Sequence, residues 1–175
     1  MNDARTSTES PIPPTRSPRL FGDTLVFDTD PNGATLQVTF QRTLRIPDDG
    51  RSYPLPPGLG SFPLRRVSDF ADRVPAHWRE RGGVFLPMYA REAMWLSFSR
   101  PPHRPCALQV GVGKVNAVNG KPWSAGLGGR PQGYVVAPDQ PWLDGIATEK
   151  GTVRQFVAMP LGQGNTIEGQ VTGEE

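Results

Sequence analysis

The chain has 175 residues, 20 of them Gly and 20 Pro, with 19 basic and 17 acidic side chains for a net charge of +2. Gly and Pro are poor in helix interiors and no Gly-X-Y period runs through the sequence, so helix bundles, coiled coils and collagen are excluded. A mean hydropathy of -0.45, and no apolar run near the ~18 residues of a membrane helix, leave a loop-rich β protein or a folded domain with disordered parts.

Residues 1–19 are polar, with Pro11, Pro13, Pro14 and Pro18 scattered through them. This composition predicts a disordered, partly polyproline tail ahead of one β-rich domain over 20–175. The Pro11-to-Pro14 spacing is a minimal P-x-x-P, too short to define an adaptor ligand. The first residues lack the apolar stretch of a signal peptide, so a cytoplasmic location is expected.

Leu36, Val38 and Phe40 alternate with Gln37, Thr39 and Gln41, the period of a half-buried strand. Leu25-Val26-Phe27 precedes it, and Asn32-Gly33 between the two is a hairpin turn signal. Pro47 to Gly50 marks a further turn. Residues 53–63 read as an extended apolar loop in which Leu55, Leu59 and Phe62 need burial. Ser68 is placed to cap a short helix from Asp69 to Arg73. Pro75 fits the first turn of a second helix through Arg81, which Gly82-Gly83 ends.

From Val84 onward the period of two returns. Met94, Leu96 and Phe98 alternate with Trp95 and Ser97, and Arg100 to Pro105 is a stiff connector. Further strands are predicted at 108–112, 134–136, 153–157 and 167–172. The sum is a mainly β chain: a β-sandwich or partly open barrel of about 7–9 short strands, one or two short helices and long Pro/Gly-rich loops.

The strong catalytic motifs are missing: there is no P-loop, no H-E-x-x-H and no G-x-S-x-G. Gly111-Val112-Gly113 begins like a dinucleotide fingerprint, but Asn116 stands at the third glycine. Cys106 is the single cysteine, so neither an intrachain disulfide nor a multi-cysteine metal site is available. His103 lies three residues upstream, a spacing that turns the two side chains to opposite faces of an extended chain. His77 beside Trp78 reads as a surface histidine packed on its neighbour. Asp28, Asp30, Asn32 and Gly33 match the first half of a calcium loop, but Thr39 occupies the position of the bidentate Glu and a tight Asx turn is the stronger reading. Residues 42–81 hold eight Arg against five acids. That excess is too small and too poor in interleaved aromatics for a nucleic-acid stripe.

The tryptophans carry more. Trp78 and Trp95 read as structural, whereas Trp123 and Trp142 each follow a proline and are placed in loops between strands. A loop Trp offers large contact area at low entropic cost, suiting it to stack on a sugar or anchor a protein. Asp144 with Arg154 and Gln155 is placed to form a polar network beside Trp142. The expected ligand-binding residues are therefore Trp123, Trp142, Asp144, Arg154 and Gln155, in a binding or scaffold module that needs no cofactor. Its expected partner is a protein or a carbohydrate, not nucleic acid or a membrane. The rivals are a hydrolase or transferase that adds Asp139 to the Asp144, Arg154 and Gln155 cleft, and a structural subunit of a larger assembly.

Five strings, Arg42–Gly60, Arg91–Phe98, Val115–Trp123, Gln140–Gly145 and Arg154–Gly162, together resemble a family of uncharacterised proteins, mostly bacterial with fungal members. The resemblance covers about residues 39–175. It implies no activity and carries over no catalytic residue. Members of that family often continue past the matching end, which implies that this chain is a short member or a fragment.

Overall fold

The fold is that of a computed structural model, which describes residues 17–47, 49–128, 130–148 and 151–162, together with 166, 169, 170 and 173. The described residues form fourteen short strands, all paired antiparallel, with one 3-10 turn, one short helix besides the helical Gly169 and Gln170, and no closed barrel. No helix among them is long and apolar enough to cross a membrane.

An eight-stranded sheet dominates. Its centre is β3 (Thr35–Thr43) against β7 (Ala93–Ser99), in register from Gln37↔Ser99 to Thr43↔Ala93. The other edge of β3 is shared by β2 (Thr24–Asp28) and β4 (Gly58–Ser61), the β3–β4 pairing shifting register between Gln41 and Thr43. Beyond β2 lies β1 (Arg19–Phe21). The far edge of β7 is likewise shared by β12 (Trp142–Leu143) and β14 (Val153–Val157), and β14 continues to β13 (Gly145–Ala147).

The alternation predicted for β3 and β7 decides what lies inside. Leu36, Val38, Leu96 and Phe98 turn one way and join Leu25, Leu143, Ile146 and Phe156 in a buried cluster. That cluster is closed by two ribbons, β8 (Cys106–Leu108) with β11 (Val135–Ala137), and β9 (Gly111–Val112) with β10 (Val115–Asn116). They contribute Val115, Ala117, Val135 and Ala137, all essentially inaccessible to solvent. The result is a sandwich-like arrangement of one large sheet over two small ribbons, which leaves the sheet's other face free to be polar.

Several local expectations are corrected. The segment around Ser68 is a 3-10 helix, Val67–Phe70, with no side-chain cap; the Ser68 hydroxyl instead bonds Asp69. Part of the apolar loop is strand β4, and Leu59 stays 54% exposed while Phe62 is fully buried. A strand edge gives alternate residues nothing to pack on, which is why only one of the pair is covered. Trp142 lies in a strand, not a loop. Of the last predicted strand, residues 167, 168, 171 and 172 lie outside the described residues. Gly169 and Gln170 are helical, with Gln170 N donating to Thr166 O and Gly173 N to Gly169 O. Residues 1–16 also lie outside, and β1 begins at Arg19, one residue before the predicted start of the domain.

Candidate functional site: the outer face of the large sheet

Strand register sets five residues in one line across the outer face. Trp142 stands opposite Ser97, Ser97 opposite Thr39, Thr39 opposite Thr24, and Thr24 opposite Phe21. Each neighbours an inward residue on its own strand (Leu143, Leu96, Val38, Leu25 and Leu20), so all five project outward. The line crosses five strands, a span of about 19 Å at ~4.8 Å per strand. Aromatic rings stand at both ends, Trp142 47% and Phe21 81% exposed. Three hydroxyls lie between them.

A second row runs beside the first, Trp95 opposite Gln41 and Gln41 opposite Ser61. The Gln41 amide ties the rows together, with Nε2 donating to Thr39 Oγ1 at 2.9 Å and to Ser61 Oγ at 3.0 Å. That bond fixes the amide plane and leaves the other Thr39 valences to solvent. On the far side, Gln37 and Ser99 form a third polar pair. None of these residues is charged; the third row runs on through Val26 to Arg19, which is paired with Asp28 at 2.7 Å. The lower end of the face is closed, because Thr43 is buried under Pro56 and Pro57, whose carbonyls accept its hydroxyl proton.

The residues singled out in the sequence are dispersed. Trp123 lies in the loop after β10, as expected, but its ring packs on the β9–β10 ribbon, not on the face that carries Trp142. Its amide bonds Lys114 O at 2.7 Å, and its ring covers Gly111 so closely that a Cβ there would meet it at 3.1 Å. A cavity of about 180 Å³ opens beside Pro122, lined by Gln109, Asn116, Asn119 and Ser124 among others. Its amides are largely spent on the fold: Asn116 bonds Gly133 O and Val118 N, and Gln109 bonds Ser124 O and Gly126 O.

Gln155 lies on the outer side of β14, but both ends of its amide hold backbone. Oε1 accepts from Ile46 N and Nε2 donates to Leu44 O, each at 2.9 Å. Arg154, next along the strand, projects from the opposite face and donates to Gln170 Oε1 at 3.1 Å. Asp144 is half-buried beside Leu143, and its carbonyl accepts the Phe156 amide. Its carboxylate forms no ion pair with Arg154. Asp139 is exposed. Neither described cavity is lined by Asp144, Arg154 or Gln155.

The calcium-like turn is an Asx turn clamped by arginines. Asp30 Oδ1 accepts Asn32 N at 2.7 Å, and Oδ2 pairs with Arg104 at 2.7 Å. The Asn32 amide first, then Arg104, holds the Asp30 carboxyl below the usual aspartate value. Asp28 pairs with Arg19 instead. Arg100, almost buried, reaches the Thr29 hydroxyl and the Arg104 carbonyl. The connector 100–105 is thus docked onto the hairpin tip.

Cys106 begins β8 and packs against the core. Burial pushes its thiol above the usual value, against the opposing pull of Arg100. His103 sits exposed in the preceding turn.

Ser97, Thr39, Thr24 and Phe21 were not singled out in the sequence. The signal that could have found them was the period-two alternation itself, which assigns each to a solvent face; which of them share a row follows only from register. Comparison with protein-family models, with curated proteins and with solved structures gives no match.

Proposed function

We propose that this chain is a binding module that takes a neutral glycan across the outer face of its large sheet. The observation that carries the reading is the register row Trp142–Ser97–Thr39–Thr24–Phe21. Sugar rings have apolar C–H faces and hydroxyl rims. The end rings of the row stack on the first, and the Ser, Thr and Gln side chains between them exchange hydrogen bonds with the second. The Trp142 and Trp95 rows carry no charge, and Arg19, in register beyond Gln37 and Val26, is paired with Asp28, which argues against nucleic acid, whose binding is driven by neutralising phosphates. The hydroxyls between the rings argue against a protein partner, whose interface would centre on an apolar core.

Sheet twist shapes the specificity. Neighbouring strands rotate by roughly 20–25°, so the two end rings are not coplanar. Such a surface suits a single, soluble, twisted chain rather than a flat crystalline one.

The test is calorimetric titration with soluble β-1,4-linked glucose and xylose oligomers of increasing length. Affinity rises with length until the row is spanned. W142A weakens it about tenfold or more, the order expected for one lost ring contact, and F21A weakens only the longer oligomers. Absence of binding to every neutral glycan, or unchanged binding by W142A, rules the reading out.

A further inference from the structure

A second site lies away from the glycan face, where α1 (Ala76–Arg81) folds back over β5 (Arg65–Arg66) and β6 (Val84–Phe85). The chain leaves α1 through Gly82 and Gly83, both with positive φ (66° and 91°), a conformation that L side chains rarely adopt. The reversal is sealed by Gly82 N donating to Trp78 O and Val67 N to Gly83 O. It brings the Trp78 ring to 5.6 Å from that of Phe85, which meets Phe70 edge-on at 5.5 Å.

Between these elements is a cavity of about 250 Å³. Val67, Val84, Phe85 and Trp78 make an apolar wall, and His77 and Arg81 stand on its rim. These last two are four residues apart, one above the other on the same helix face. No acidic residue among the described residues lines the cavity. Arg81 makes no hydrogen bond or ion pair among the described residues, whereas Arg79 is spent on the Ala71 and Val74 carbonyls and Arg73 faces Asp72. A guanidinium without a partner among the described residues, lining the same cavity as an aromatic wall, is complementary to one ligand chemistry: a planar fork of donors for a carboxylate, and rings for an apolar body.

We propose that this cavity binds a small monocarboxylic acid with an aromatic or branched apolar body. Arg81 receives the carboxylate through its guanidinium, the His77 ring adds a polar contact at the rim, and the body lies against the Trp78 and Phe85 rings. The cavity admits little more than a single ring, so the occupant is a free small acid rather than a peptide or lipid chain. The site shares no residue with the glycan row, so either proposal stands without the other.

The experiment titrates the whole chain with benzoate and, in parallel, with its uncharged isostere benzamide. Binding is read by calorimetry and by Trp fluorescence, with W78F identifying the part of the emission change that comes from Trp78. Benzoate binds saturably, with a dissociation constant of the order of a millimolar, and benzamide binds about tenfold more weakly, as loss of a charge-assisted contact requires. R81Q brings benzoate down to the benzamide level and leaves benzamide and the far-UV circular dichroism unchanged. W78F still binds benzoate but loses the fluorescence response. Equal affinity for the two ligands, benzoate binding that R81Q leaves untouched, or no saturable binding of benzoate overturns the proposal.

Discussion

The Gln155 side-chain oxygen accepts the Ile46 amide proton at 2.9 Å, joining positions 109 residues apart in sequence. The same amide donates to Leu44 O, so one side chain pins the irregular stretch after β3 to strand β14. Loss of both bonds in Q155A costs about 2 kcal/mol at roughly 1 kcal/mol per bond, read as a lowered urea midpoint at unchanged slope. Oligosaccharide affinity stays at the parent value, since the amide is committed to the backbone. A drop in affinity at unchanged stability would show that Gln155 binds ligand instead.

Gly145 lies beside Arg154 across the β13–β14 pair, where an added Cβ would stand 2.1 Å from the Arg154 carbonyl oxygen. No positive φ is involved; backbone crowding alone demands glycine here. G145A must part the two strands, with a loss of about 3 kcal/mol or more. The check is chemical denaturation with amide hydrogen exchange, in which protection falls first at Phe156, whose amide donates across the pair to Asp144 O.

Asp30 supplies an acid-side signature. Its folded carboxyl titrates below the unfolded value, held down first by the Asn32 amide and then by Arg104. The stabilisation is therefore complete above the ordinary aspartate pKa of about 3.9, and is lost as pH falls through the lower folded value. D30N is less stable than the parent at neutral pH, and the gap closes in strong acid. A gap independent of pH would remove the ion pair from the account. Carbon-detected NMR titration of the Asp30 carboxyl gives the folded value directly.

Cys106 is expected to react slowly. Burial raises its pKa, so the thiolate that alkylating agents require is scarce near neutrality. Iodoacetamide labels the folded chain much more slowly than the urea-unfolded chain, as followed by intact mass. Equal rates would place the thiol in an open, activated environment.

Much of the architecture was legible in the residues. The period of two in 36–41 and 93–98 marked β3 and β7, Asn32-Gly33 marked their neighbouring hairpin, and Gly82-Gly83 marked the end of α1. These features rest on side-chain direction and local backbone sterics, which act over a few residues and are written into every stretch of chain. Ser68 misled, because a hydroxyl that can cap a helix can equally bond the carboxylate beside it.

The candidate sites were only half legible. Trp142 drew attention as a ring in a Pro-flanked segment, and its placement on a face was implicit in the buried leucine that follows it. Its companions Ser97, Thr39, Thr24 and Phe21 come from four other strands, and nothing in sequence spacing aligns them. Trp123, an equal candidate by the same criteria, belongs to a different layer. Composition and periodicity alone thus determined a mainly β chain with one face in and one face out. The register that makes a row, the pairing of Gln155 with a distant backbone and the unpaired Arg81 beside Trp78 were decided by tertiary structure. Hydrogen-bond register and packing are set between segments, by the cooperative fit of the whole sheet over its ribbons, and no single segment contains them.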